Sequence, residues 1–294
     1  MNQEIGFIGL GSLGTPIALN LLESGHRLHI YNRTYSKTAL LTEKGAIAHR
    51  EISELAVKAD VIFSIVSNDS ALCEVVENGL KRGLRKGGIH ISMSTISPKT
   101  AGDLSIAHGQ RGQTYIAAPV FGRPEAASAR KLNFVVAGSR EAVNKIEPLL
   151  RDAGGAGIWN FGEDCQAANT VKLCGNFLIA SALESIGESI KLATRSGVDA
   201  QKMWEMLSQT LFNTPVYHNY SRIILQKQFE PAAFTARLGL KDLNLVLDLG
   251  ESVGQPMPLA RLLQKNMSTL VDAGLSEIDW SAISQVEMAK HPMP

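Results

Sequence analysis

Two rhythms of apolar residues follow one another along the chain. In the first half, short runs of branched and aromatic residues alternate with stretches whose apolar positions recur at helical spacing. The runs predict strands over 5–8, 27–31, 61–66, 89–93, 114–118 and 133–137. Helices are predicted over 13–24, 36–44, 52–59, 71–80, 98–111 and 140–152, with Gly25 and Gly45 stopping the first two. Alternating strands and helices, with unbroken strands such as 61–66, predict an α/β domain whose parallel sheet is covered on both faces. After about Asn160 the strand pattern ends. Helices are predicted over 165–196, 200–210, 216–226, 238–250 and 258–273, with a short one after Ser281 and a frayed tail over 291–294. This switch predicts two domains, 1–163 with the sheet and 164–294 all-helical, in keeping with 294 residues.

The first strand runs into Gly9-Leu10-Gly11-Ser12-Leu13-Gly14, a GxGxxG segment that opens a helix and leads to a second strand. That context makes it a dinucleotide fingerprint. Gly9 permits the tight turn, Gly11 lets a pyrophosphate approach the backbone, and Gly14 lets helix and strand pack closely. The helix start, with Ser12 and Leu13, presents N–H groups to phosphate. At the end of the second strand an NAD site usually carries an acid for the ribose hydroxyl. Here stand Asn32, Arg33 and Thr34. Arg33 suits a 2′-phosphate, with Thr34 and Asn32 as further donors, so the sequence predicts NADP(H) over NAD(H).

Composition narrows the field. Lys+Arg is 29 and Asp+Glu 28, a net charge of +1 that advertises no polycation and predicts no nucleic-acid partner. The hydrophobic fraction of 45% argues against global disorder. The three cysteines form no CxxC pair and the seven histidines are scattered, so neither a disulfide framework nor a metal site is expected. Glu4 precedes the first apolar run and no run approaches a membrane span, which predicts a cytoplasmic protein without signal peptide or membrane partner.

A polar stripe crosses the long helix. Asn169, Lys172 and Asn176 share one face among mostly apolar neighbours. A helix apolar nearly all round is expected to be buried, and a buried lysine is costly unless it faces a wet cleft. The stripe is therefore expected to line an interdomain cleft.

Several segments, in order, resemble the β-hydroxyacid dehydrogenase family: the glycine loop with its Asn-Arg-Thr ending, Ser94-Thr95-Ile96-Ser97-Pro98, Ala118-Pro119-Val120-Phe121-Gly122, Lys172-Leu173-Cys174-Gly175-Asn176, and Lys241-Asp242, taken as a helix start. The resemblance spans about residues 4–285 and extends to 6-phosphogluconate dehydrogenase-like proteins. It implies a Rossmann-type domain, a long interdomain helix and an all-α domain that also makes the contact of a homodimer or homotetramer. It implies Lys172 as catalytic acid/base, Asn176 as its helper and Thr95 as a hydroxyl on the substrate and cofactor side. Lys241 is implied to contact the cofactor or close the cleft, and the Val66-Ser67-Asn68 backbone to line the cofactor groove. Phe121, Gly122 and Arg123 fall in the implied substrate loop.

Two positions depart from the family pattern. Phe121 stands where serine often binds a substrate carboxylate, and Ala117 where aspartate is common. Backbone amides near Gly122 remain for an anion, and Arg123 compensates if it turns inward. These changes predict a more apolar pocket or a different substrate. The leading expectation is an NADPH-dependent oxidoreductase acting on a small aldehyde, 2-oxo acid or 3-hydroxy acid of the succinic semialdehyde or glyoxylate type. The alternatives are an imine or ketone reductase with an apolar pocket, and a non-catalytic NADP-binding scaffold.

Overall fold

The computed structural model describes residues 3–286. The tail 291–294, for which the sequence predicts fraying, lies outside them. The chain divides into two compact units between Lys172 and Leu173.

The first unit is built on parallel strands β1 (Glu4–Ile8), β2 (Arg27–Tyr31), β3 (Ile47–Ala48), β4 (Val61–Ser64), β5 (Ile89–Ser92) and β6 (Thr114–Ala117). Their order across the sheet is β3-β2-β1-β4-β5-β6. Strand order reverses between β1 and β4, the switch point where such sheets bind ligands. The connections carry α1 (Gly14–Glu23), α2 (Ala39–Glu43), α3 (Ile52–Ala56), α4 (Asp69–Val75), α5 (Lys81–Gly83) and α6 (Pro98–Gly109). Phe7 and Phe63 pack with Ile17 and Leu21 in one apolar cluster, whereas Ile8 and Ile62 pack with Leu55 and Leu72 in another. Burial on both faces is what unbroken apolar strands require.

Several elements differ from expectation. The helix predicted over 36–44 opens as a 3-10 turn at Tyr35–Thr38 before α2. The one predicted over 71–80 begins at Asp69, because the Asn68 side chain accepts from Ala71 N, and it ends in a π turn at Val76–Leu80. Beyond β6 come β7 (Val120–Phe121), α7 (Pro124–Ser128), β8 (Leu132–Val136), α8 (Arg140–Asp152) and β9 (Gly155–Asn160). The strand predicted over 133–137 is β8, and it leaves the parallel sheet. It pairs antiparallel with β7 and parallel with β9. Neither neighbour shows in the sequence: β7 has two residues, and the Gly-Ala-Gly start of β9 gives a weak strand pattern.

A long helix, α9 (Cys165–Arg195), runs through the division between the units. The second unit continues with α10 (Ala200–Gln209), α11 (Pro215–Gln226), α12 (Ala236–Ser252), α13 (Pro258–Asp272) and a 3-10 turn at Trp280–Gln285. Leu183, Trp204, Leu263, Met267 and Trp280 form its core. Thr235 caps α12, which therefore starts earlier than predicted. Lys241 and Asp242 lie within its second turn rather than at a helix start. The expectation that α9 is buried nearly all round is also corrected. Leu173, Ala180 and Leu183 are buried, but Cys174 is exposed and Leu178 and Leu192 are 66% and 70% exposed. More apolar positions surround this helix than its own chain covers. Among the described residues, no helix is long and apolar enough to cross a membrane.

Candidate active site

Directly after β1 the chain turns at Gly9, whose φ is +99°. A Cβ there would stand 2.1 Å from the Ile65 carbonyl oxygen, so only glycine fits. A Cβ on Gly14 would meet the Gly9 carbonyl oxygen at 2.0 Å, so α1 packs on the turn at glycine distance. Gly11 differs: nothing lies within 4 Å of where its Cβ would be. That open space is what a pyrophosphate at the backbone needs. The first turn of α1 has no acidic residue, and Leu13 gives it no side-chain cap. Its backbone donors and positive end suit an anion. A depression of about 520 Å³ is lined by Gly11, Ser12, Thr15, Lys37, Leu40 and Pro124. Residues and space fit a dinucleotide. Lys37 went unnoticed in the sequence; the 3-10 turn after β2 brings it to the glycine loop.

Asn32 ends β2, and both ends of its amide are engaged within the protein. Oδ1 accepts from Leu10 N at 2.9 Å, and Nδ2 donates to the Thr34 carbonyl at 2.8 Å. It therefore holds the glycine loop against β2, and these two bonds use only one of the two N–H groups on Nδ2. Arg33 and Thr34 are exposed.

The segments after β4 and β5 are tied together. Val66 N donates to Ser94 Oγ at 2.9 Å, so that amide is taken. Ser67 is exposed, and the Asn68 side chain serves as the α4 cap. The Asp69 carboxylate accepts from Ser97 N at 3.0 Å and from Ser97 Oγ at 2.6 Å. Asn169 Oδ1 of α9 accepts from Ile96 N at 3.2 Å. Asn169 is 1% exposed, and it anchors this loop. Half-buried Thr95 thus stands in a loop held from three directions. Behind it, a hydrogen-bond chain starts at the end of β4. His108 Nδ1 donates to the Leu104 carbonyl at 2.8 Å, leaving Nε2 to accept from His90 Nδ1 at 3.2 Å; His90 Nε2 then accepts from the Ser64 hydroxyl at 2.8 Å. Burial lowers both rings, His90 well below the ordinary 6.5, so the chain is neutral.

Half-buried Lys172 lies in the second turn of α9, and its Nζ is 4.1 Å from the centroid of the Phe121 ring. Phe121 stands in β7 opposite Asn133 of β8 and packs on the apolar cluster that also takes Val66 and Val171. A ring face attracts an ammonium through its quadrupole, an effect of about 0.5–2 kcal/mol. The sequence marked Phe121 as a lost hydroxyl; that it seats the ammonium depends on the β7–β8 pairing. Gly122 is exposed, and Arg123 Nε lies 3.7 Å from Glu125 Oε2. Arg123 thus pairs with its own neighbour.

In the second unit, Asn176 Nδ2 donates to Asp242 Oδ2 at 2.5 Å, and both residues are buried. Lys241 Nζ stands 2.7 Å from Asp242 Oδ1. The direction is off the hydrogen-bond line, so that oxygen has no well-aimed donor. Asp242 was not singled out as a site residue in the sequence, yet it fixes two that were. Its neighbour Lys241, expected to contact the cofactor or close the cleft, has its Nζ beside the adjacent carboxylate. Among the described residues, no three His, Cys, Asp or Glu side chains gather as a metal site.

The family model described as the NAD binding domain of 6-phosphogluconate dehydrogenase matches residues 4–165, and that described as NAD-binding of NADP-dependent 3-hydroxyisobutyrate dehydrogenase matches 167–286. The Bacillus subtilis oxidoreductase YfjR is 40% identical, over 96% of this chain and 98% of its own. The chloroplastic glyoxylate/succinic semialdehyde reductase 2 of Arabidopsis thaliana is 30% identical, over 95% of this chain and 78% of its own. A solved structure of Psf3 in complex with NADP+ and 2-OPP is 27% identical with a TM-score of 0.86, covering 96% of this chain and 99% of that one. With a dinucleotide cradle in the first unit and these matches over both units, the chain belongs to the β-hydroxyacid dehydrogenase family of NAD(P)-dependent oxidoreductases.

Proposed function

We propose that the protein is an NADPH-dependent reductase of small aldehydes or 2-oxo acids, acting in reverse as a 3-hydroxy acid dehydrogenase. The observation that carries the reading is the Lys172 ammonium, fixed over the Phe121 ring on the helix that also bears Asn176. A bound nicotinamide cofactor supplies or accepts the hydride. The chain's own residues do the rest. The glycine loop and the start of α1 hold the pyrophosphate, while Arg33, Thr34 and Lys37 hold the 2′-phosphate. No acid stands after β2 to repel that phosphate. As negative charge grows on the carbonyl oxygen, Lys172 Nζ donates a hydrogen bond and then a proton. Asn176 is held by Asp242 and orients the substrate side of the helix, with Thr95 supplying a hydroxyl. Substrates of the succinic semialdehyde or glyoxylate type accord with the named activity of the Arabidopsis relative.

An imine or ketone reductase is the second reading. The apolar Phe121 favours it, and the ammonium of Lys172 opposes it, because an iminium would be repelled. Oxidation of NADPH and of NADH with a panel of aldehydes, 2-oxo acids and cyclic imines tests the proposal. NADPH is expected to be used at least about tenfold better, and Arg33→Ala should erase that preference. Equal use of both cofactors by the unaltered protein overturns the cofactor assignment.

A further inference from the structure

We propose that Phe121 is a positioning and selectivity residue acting through Lys172, and that it favours aldehydes and ketones whose carbonyl neighbour is hydrocarbon rather than carboxylate. The inference rests on the reading of Lys172 as the proton donor and narrows the proposed substrates, ranking aldehydes with a hydrocarbon neighbour above glyoxylate and other 2-oxo acids. Three observations support it. First, the Nζ-to-centroid distance of 4.1 Å is well inside the range of a cation–π contact. Second, the ring is fixed. The alternation of β7 sends Val120 into one apolar cluster and Phe121 onto the other, with Phe121 in register with Asn133. Third, the neighbouring cation has a carboxylate of its own: Arg123 Nε lies 3.7 Å from Glu125 Oε2.

The chemistry follows from the ring's charge distribution. Its electron-rich face attracts the ammonium and offers nothing to an anion. A serine hydroxyl at this place would donate to a carboxylate beside the carbonyl. A phenyl ring replaces that donor with apolar surface and, by its attraction, keeps Nζ at a fixed place. The acids nearest in sequence have partners of their own. Glu125 pairs with Arg123, Asp164 Oδ1 accepts from Gln166 N, and Cys165 is buried against the Tyr115 and Ala137 carbonyls.

Two measurements test this, one of them independent of turnover. Competitive acylation of surface amines, read at the Lys172 peptide by mass spectrometry, reports how firmly the ring holds the ammonium. Phe121→Leu and Phe121→Met should raise the Lys172 labelling rate about threefold or more, whereas Phe121→Trp, with a stronger π face, should leave it unchanged or lower. The second measurement is the ratio of kcat/KM for butanal to that for glyoxylate with NADPH. Phe121→Ser should shift this ratio toward glyoxylate by roughly tenfold or more, and Phe121→Trp should not. Unchanged labelling in both aliphatic variants, or an unchanged ratio in Phe121→Ser, overturns the proposal. If the unaltered protein reduces no carbonyl at all, the proposed function fails, while labelling still reports on the seat.

Discussion

The two units bury polar groups in opposite ways. The first buries a neutral chain, Ser64–His90–His108–Leu104, in which each donor meets an acceptor. The second buries acids. Asp242 is 1% exposed, and Glu184 accepts from Asn266 at 3.0 Å through Oε1 while Oε2 has no partner. Burial, and then the charge of Glu188, raises the Glu184 carboxyl to about 7. The contrast separates two ways of making a site. In the first unit, positive potential comes from backbone geometry at the glycine loop, set before any ligand arrives. In the second, buried carboxylates depend on amide donors that reach them from other helices.

If that contrast is right, backbone changes in the first unit should cost most. Gly9→Ala forces a left-handed residue against the Ile65 carbonyl, and thermal unfolding should show a loss of about 3 kcal/mol or more, or no folded protein. A variant as stable as the parent would remove the rigid turn from the account. Asp242→Ala should come next, costing about 2–3 kcal/mol in urea unfolding by stripping buried Asn176 of its acceptor. Asn32→Ala should cost about 1–2 kcal/mol and weaken NADPH and NADH alike, because it loosens the glycine loop that both cofactors use. Equilibrium binding of the two cofactors separates it from Arg33→Ala, which should weaken NADPH alone.

The smallest effects are those of pH, and the units should respond with opposite signs. His90 and His108 lie below the 6.5 they regain on unfolding, so the unfolded state binds more protons. Their contribution is full above about 6.5 and is lost as pH falls below it. Glu184 is raised from 4.5 to about 7, so the folded state binds more protons. Its contribution is full below 4.5 and is lost as pH rises toward 7. Urea unfolding from pH 5 to 8 should show the alkaline loss flattened in Glu184→Gln and the acid loss unchanged. The opposite pattern would reverse the contrast.

What the sequence disclosed follows from how local each feature is. The glycine loop, five of the six parallel strands and the Arg33 segment arise from residues close in the chain and were legible, whereas β3, only two residues long, was not. So was the long helix, α9, to within a residue. The second sheet was not, since β7 has only two residues and β9 begins with glycine-rich chain. Pairings across distance were hidden too. Nothing in the local pattern places Phe121 under Lys172, Asn169 against Ile96, or Asp242 against Asn176. The polar stripe was therefore visible on α9, but each member's task was not. Asn169 is an anchor, Lys172 is held by a ring, and Asn176 is held by a carboxylate.

The central claim is that Lys172 supplies the proton that completes hydride transfer. Single-turnover oxidation of bound NADPH by an aldehyde, followed at the nicotinamide absorbance in Lys172→Ala and in the parent, tests it most directly. The account predicts unchanged NADPH binding and a rate of transfer lower by roughly 10²–10⁴ in the variant. Transfer at the parental rate would contradict it.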